Sequence, residues 1–280
     1  MILMTGAFGL IGTLLRSNSE IFKDVDVYDI ANDPTQDVLD YGSLFRTFKQ
    51  KKYDTIVHLA EIPFTETESI GESRKNYRVN LDAMQNLNRI SRLTGARLVY
   101  CLKTNQTSVT ERLNFIAHHR LQSTSSPVVF VELPDLIPSI SETGEVSGNS
   151  IISTIIRAAR NGESIKLNLK GDDLLQLARE DDVVAAFEEA VSPDTDNKNT
   201  VTAKTVHNLT VAQLLSLVNE AYPNTAIEYS GDIVEVQEVG EDIRQFLSTI
   251  IPVPPQPTPI VEEVSIEEGL LTGSENITIH

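Results

Sequence analysis

Short apolar runs and stretches of three-to-four-residue periodicity take turns along this chain, and their alternation predicts a series of strand–helix units. Ile2 to Met4 with Thr5 form a short strand, and a helical pattern starts at Thr13-Leu14-Leu15. In Lys23–Ile30, Val25 and Val27 alternate with acids, as in a half-buried strand. Asp37 to Glu61 reads as a short strand, an amphipathic helix carrying Leu44, Phe45 and Phe48, and a strand from Thr55 to Ala60. Tyr77 to Arg92 repeats Val79, Ala83, Leu87 and Ile90 at helical spacing, and the strand Arg97–Leu102 follows. The pattern continues with a helix over Ser108–Leu121, a strand over Val128–Val131 and a helix over Ser150–Arg160. Strands separated by helices of this length predict an α/β fold on a parallel sheet.

The first strand runs into Gly6, Gly9 and Gly12, evenly spaced before the first helix. In a strand–turn–helix, such glycines serve the tight turn, the approach of backbone to a pyrophosphate, and the packing of helix on strand. The free N–H groups and dipole of the helix start then face the anion. This places Gly6, Phe8, Gly9, Leu10, Ile11 and Gly12 at a dinucleotide and predicts a Rossmann-type doubly wound parallel sheet. Asp29 lies seventeen residues past Gly12 at the end of the second strand, where a carboxylate can accept from the adenine ribose. An acid there favours NAD over NADP, whose 2′-phosphate would meet a like charge. The rival candidate is Asp26, and the plain alternative for Asp29 is a turn aspartate.

Composition narrows the function classes. The 280 residues carry a formal charge of −17, and residues 231–280 hold ten acids against the single base Arg244. That balance argues against nucleic-acid binding, which needs cations for phosphate. No window resembles a membrane span. The first strand begins at Ile2, which leaves no room for a signal peptide, and Cys101 is the sole cysteine. We therefore expect a cytoplasmic protein without an intrachain disulfide. No metal site is expected. His118 and His119 are adjacent on a helix and face different directions, while Asp181 and Asp182 suit the positive end of a helix.

Beyond its glycines the chain resembles the extended short-chain dehydrogenase/reductases, the group that includes NAD-dependent nucleotide-sugar epimerases and dehydratases. The resemblance rests on TGAxGxxG at Thr5–Gly12, an acid–hydrophobic pair at Asp37-Val38, and HLA at His58-Leu59-Ala60, and it extends to the helix with Asn80 at its start and, in the second half, to a helix within Leu175–Ala190, a strand at Thr200–Thr202 and a helix over Thr210–Ala221. It implies that Asp37 and Val38 flank the adenine and that Leu59 and Ala60 run beside the cofactor, NAD. His58 is expected as a packed strand-end histidine and not as a catalyst.

The resemblance also implies a catalytic set that this chain lacks. A serine close after the Arg97–Leu102 strand is replaced by Lys103, with Thr104 beside it, and the tyrosine and lysine positions fall on Gln106 and Thr110. None of the seven tyrosines, at 28, 41, 53, 77, 100, 222 and 229, has lysine four residues on. Proton transfer near neutral pH needs a phenol tuned by an ammonium, which glutamine and threonine cannot supply. Glu132 stands where many relatives carry arginine, which places a nucleotide-sugar substrate in doubt.

The expectation is a Rossmann core over residues 1–134, a smaller C-terminal α/β lobe over 135–248 with elements returning to the main sheet, and a proline spacer with an acidic segment over 249–280. Functionally it is a pseudoenzyme, a binding or structural component of a homo-oligomer or larger assembly formed in the cytoplasm. The alternatives are an active epimerase, dehydratase or reductase with rearranged acid/base residues, and a purely structural subunit without cofactor. The tail sets Ile260, Val261, Val264, Ile266, Leu270 and Leu271 among five glutamates, so it has an apolar side to bury, on its own body or on a neighbour.

Overall fold

In the computed structural model, residues 1–61, 74, 76–103, 108–138, 145–146, 150–167, 170–223, 226–229 and 239–251 are described. The main sheet has six strands in the order β2-β1-β3-β4-β5-β9, every neighbouring pair parallel. They are β1 (Ile2–Thr5), β2 (Asp26–Tyr28), β3 (Thr55–His58), β4 (Arg97–Lys103), β5 (Val128–Leu133) and β9 (Thr200–Thr202).

Successive residues of these strands enter opposite cores, because a strand points alternate side chains to opposite faces. Leu3, Ile56, Leu98, Val128 and Phe130 meet Leu44 and Phe48 of α2 (Tyr41–Gln50), with Met84, Leu87 and Ile90 of α3 (Ala83–Thr94) and Leu121 of α4 (Ser108–Gln122). Met4, Val57, Val99, Val129 and Val131 meet Leu14 and Leu15 of α1 (Leu10–Asn18) on the other face. That second face also receives Val183, Val184 and Phe187 of α6 (Glu180–Val191). Both faces of the sheet are therefore covered, the condition under which an all-parallel sheet is stable.

The C-terminal part builds its own core from α5 (Ile151–Asn161), α7 (Val211–Ala221) and α8 (Glu241–Ile250). These pack on a three-stranded sheet, in which β8 (Leu174–Ala178) pairs antiparallel with β10 (His207–Thr210) and parallel with β6 (Asp135–Leu136). A two-stranded parallel pair joins β7 (Ile165–Leu167) to β11 (Ile227–Tyr229). From this part of the chain, β9 and α6 return to the main sheet.

Five details differ from the sequence pattern. The strand expected over Lys23–Ile30 shrinks to Asp26–Tyr28, and that over Thr55–Ala60 stops at His58. No strand forms at Asp37-Val38; Asp37 instead accepts the Leu39 N–H at 2.8 Å and turns the chain into α2. The helix bearing Asn80 does not begin there: residues 76–77 are already helical, and Arg78–Asp82 form a π-helical turn leading into α3. Ser150 is the N-cap of α5 and lies outside its first turn. Thr104, Gln106 and the whole of 252–280, with most of the proline spacer and the late SIEEGL segment, lie outside the described residues.

Candidate dinucleotide site

The carboxyl ends of β2, β1, β3 and β4 stand side by side, and the residues singled out by sequence gather along that edge. After β1, Gly6 takes φ +69°, a left-handed conformation that most side chains avoid. A Cβ on Gly6 would lie 2.4 Å from the Ala60 nitrogen and 2.6 Å from the Leu59 oxygen. The glycine turn thus packs directly on the residues that follow β3. Gly12 is equally constrained, since its Cβ would fall 2.6 Å from the Ala7 Cα and from the Gly6 oxygen.

Gly9 is different. It is the N-cap of α1 at φ −73° and ψ 174°, extended backbone that any residue adopts. Its added Cβ would meet only the Gly6 oxygen, at 3.3 Å. The turn is held by the Gly9 N–H donating to the Gly6 carbonyl at 3.1 Å, and the helix begins with Thr13 N–H donating to the Gly9 carbonyl at 2.9 Å. The N–H groups of Leu10, Ile11 and Gly12 precede that first helical bond and so have no intrahelical acceptor. Phe8 and Leu10 are 49% and 43% exposed at this helix start, whereas Ile11 packs partly against the core of that face. Arg16, one turn below Gly12, places its guanidinium 5.3 Å from the centre of the Phe8 ring.

Asp29 follows β2 and is half-buried. Its Oδ1 accepts the Ala31 N–H at 2.9 Å, while its own N–H donates to Gln36 Oε1 at 3.1 Å. It is therefore a turn-forming aspartate placed at the carboxyl end of the strand next to the glycine turn. The rival, Asp26, is committed elsewhere. It sits opposite Leu3 at the start of β2, with Lys51 Nζ at 2.8 Å and the Tyr53 hydroxyl at 2.9 Å. The Lys51 hydrogen bond outweighs burial and holds the Asp26 carboxyl below its ordinary pKa.

The Asp37-Val38 pair is fastened from two sides. Tyr28 donates its hydroxyl to the Asp37 carbonyl at 3.4 Å, and Asn86 of α3 donates to the carbonyls of Val38 and Leu39 at 3.0 and 3.2 Å. The Val38 side chain itself is buried in the core. Asn86 carried no signal in the sequence reading, because a partly buried asparagine at helical spacing looks like any polar helix position.

His58 ends β3 fully enclosed, with Nδ1 2.7 Å from Thr5 Oγ1 and its ring 5.7 Å from that of Tyr100. Burial lowers its pKa to about 4, so the imidazole is neutral at physiological pH. This is a packed histidine. Cys101 is similarly inert, since burial pushes its thiol up to about 12. Burial also raises the Tyr100 phenol above its ordinary value, with the Glu61 charge adding to the effect.

Beyond the glycine turn, Lys103 Nζ pairs with Glu61 Oε2 at 2.6 Å. Burial works against the ammonium, but the charge and hydrogen bond of Glu61 prevail, and the Lys103 pKa is raised. Glu61 escaped sequence reasoning, although it directly follows His58-Leu59-Ala60. Thr110 lies on the backbone of α4. His118 and His119 look to separate neighbours, Phe130 at 4.5 Å and Phe115 at 6.2 Å between ring centres. Asp181 and Asp182 occupy the first turn of α6 with Glu180, where the helix dipole favours carboxylates. No helix among the described residues is long and apolar enough to cross a membrane.

Residues 1–103 match the family model described as the RmlD substrate binding domain. No curated protein sequence matches the chain. Among solved structures, the chain is similar to Pal from Bacillus thuringiensis, with a TM-score of 0.61 at 16% identity, covering 92% of this chain and 95% of that one. It is similar to the UDP-glucose 4-epimerase of Thermus thermophilus in complex with NAD, with a TM-score of 0.58 at 17% identity over 91% and 94% of the two chains. It is also similar to the dTDP-4-dehydrorhamnose reductase of Bacillus anthracis in complex with NADP, with a TM-score of 0.60 at 14% identity over 82% and 83%. The chain thus carries the fold of the short-chain dehydrogenase/reductase-like NAD-dependent epimerases, dehydratases and reductases, and its residues 1–103 match a model of that family.

Proposed function

We propose that this protein binds an adenine dinucleotide of the NAD type on the Gly6–Gly12 turn and does not carry out the proton transfers of an epimerase or dehydratase. It acts as a binding or structural component, in a homo-oligomer or a larger assembly. The observation that carries the binding half is Gly9. Its backbone conformation suits any residue, and its Cβ would meet nothing closer than one carbonyl at 3.3 Å. The fold would take a Cβ there with a shift of a few tenths of an ångström at the Gly6 carbonyl, whereas Gly6 and Gly12 are required by backbone contacts at 2.4–2.6 Å. A group lying over the helix start supplies the reason, and the free N–H groups of that helix start suit a pyrophosphate.

The non-catalytic half rests on the residues at the edge of the sheet. Lys103 stands at the serine position and is tied to Glu61, and no tyrosine in the sequence has lysine four residues on. Removing a single general acid or base costs roughly 10²–10⁴ in rate, and here the serine is missing as well.

Titration of the purified chain with NAD and with NADP tests the binding half. NAD is expected to bind more tightly, because a carboxylate at Asp29 would repel the 2′-phosphate of NADP. Gly9→Val should abolish binding while leaving the melting temperature within a few degrees. Incubation with nucleotide sugars and NAD, followed by mass spectrometry, tests the other half; turnover well above background would overturn it in favour of an enzyme with rearranged acid/base residues.

A further inference from the structure

The positive end of α1 has no negative group from its own helix. No acid stands in its first turn, and its N-cap, Gly9, offers no side chain to the free N–H groups. Helix α6 is built the other way, with Glu180, Asp181 and Asp182 in its first turn, where the dipole favours carboxylates.

Arg16 adds a second positive feature to the same face. Gly9, Gly12 and Arg16 are spaced by three and four residues, so they line one stripe of the helix. A long helical side chain leans towards the helix start, and the Arg16 guanidinium lies 5.3 Å from the centre of the ring of Phe8, which precedes the helix. The Arg16 side chain is partly buried. Its Nε is enclosed without a hydrogen-bond partner, and no carboxylate among the described residues pairs with the guanidinium. Acids outnumber bases 40 to 23 in the chain, so this isolation does not reflect a shortage of carboxylates. Charges withdrawn from water are ordinarily paired. This one rests only on a half-exposed aromatic ring, a weak hold for a cation. A guanidinium is also the side chain whose planar fork matches phosphate oxygens two at a time.

We propose that Arg16 supplies the side-chain cation for the pyrophosphate of the bound dinucleotide, and that Phe8 keeps its guanidinium beside the glycine turn in the free protein. This rests on the binding reading given above and names a residue through which the same site recognises phosphate. The free N–H groups of Leu10, Ile11 and Gly12 fix where the anion sits, and Arg16 neutralises it.

Isothermal titration of the full chain with NAD⁺ is the test, run at about 0.02 M and about 0.5 M salt on wild type, Arg16→Gln and Arg16→Lys. Arg16→Gln is expected to bind about tenfold more weakly at the lower salt and to lose less at the higher, because salt screens a charge contact. Arg16→Lys keeps the charge and should stay within about threefold of wild type. Without ligand, Arg16→Gln should melt no lower than wild type, since it removes an unpaired charge. A loss below about threefold in Arg16→Gln overturns the role of Arg16 while leaving the dinucleotide site in place. A loss of equal size at both salt concentrations, accompanied by a lower melting temperature, marks a packing role and overturns it as well. If the wild-type chain binds no NAD⁺, the site itself falls, and the role of Arg16 with it.

Discussion

At the scale of single residues, the most telling positions are those where one atom decides what the backbone can do. Gly6 and Gly12 leave no room for a Cβ, and Gly9 is less confined, with a single tight approach to the Gly6 oxygen at 3.3 Å. His58 is the clearest titrating case. Its folded pKa of about 4 lies below the ordinary 6.5 because burial disfavours the cation. The unfolded chain therefore takes up the proton first as pH falls. The contribution is fully present above about pH 6.5 and is lost as pH drops towards 4, to a limit on the order of 3 kcal/mol. Melting curves between these pH values should consequently fall more steeply for wild type than for His58→Gln, which keeps a hydrogen-bonding side chain without a group titrating in that range. Parallel pH profiles for the two proteins would contradict this assignment.

At the scale of elements, side-chain caps explain where three of the helices start. Asp40 caps α2 by accepting the Ser43 N–H, and Ser150 caps α5 through the Ser153 N–H. Thr210 goes further: its hydroxyl accepts the Gln213 N–H at 3.2 Å while its own N–H donates to Gln213 Oε1 at 2.9 Å. This reciprocal arrangement satisfies two otherwise orphaned donors at the start of α7. Thr210→Ala should cost about 1 kcal/mol, read as a lower denaturant midpoint. Combined with Gln213→Ala, the loss should be less than additive, because both changes break one motif; strict additivity would mean that the two residues act separately. By contrast, the strands differ from their apolar patterns at their ends. Asp29 to Asp33 satisfy their polar groups in turns, with Ala31 bonded to the Asp29 side chain and Asn32 and Asp33 to its carbonyl, so β2 stops at Tyr28.

At the scale of the molecule, residues 180–202 are interleaved with the first part of the chain. Val183, Val184, Phe187 and Ala190 of α6 share a core with Met4, Leu15 and Val129, and β9 completes the sheet beside β5. Ser19 on the first part also bonds Glu188 on the second at 2.5 Å. A fragment of residues 1–134 would expose the part of that apolar face which α6 and β9 cover. Burial of each such side chain contributes roughly 1.5–3 kcal/mol, so the fragment is expected to lack cooperative unfolding and to bind a hydrophobic dye. A sharp thermal transition in the isolated fragment would show that α6 and β9 are dispensable.

Much of this was legible in the residues themselves, because strand alternation and helix periodicity are local and survive without knowledge of neighbours. Leu3 and Met4, or Val128 and Val129, already announce two opposed faces, and Gly6, Gly9 and Gly12 announce a strand–turn–helix. The missing tyrosine–lysine spacing is likewise a property of sequence alone. Only the tertiary structure decided what depends on distance between segments. It separated Asp26, bound by Lys51 and Tyr53 from another strand connection, from Asp29 at the sheet edge. It distinguished the two glycines wedged against backbone from the one that is not. It placed Glu61 against Lys103, 42 residues away in sequence, because parallel register sets those strand ends beside each other. Periodicity records which face a side chain takes; which partner it meets there is set by strand order and register, and these arise when the whole sheet assembles.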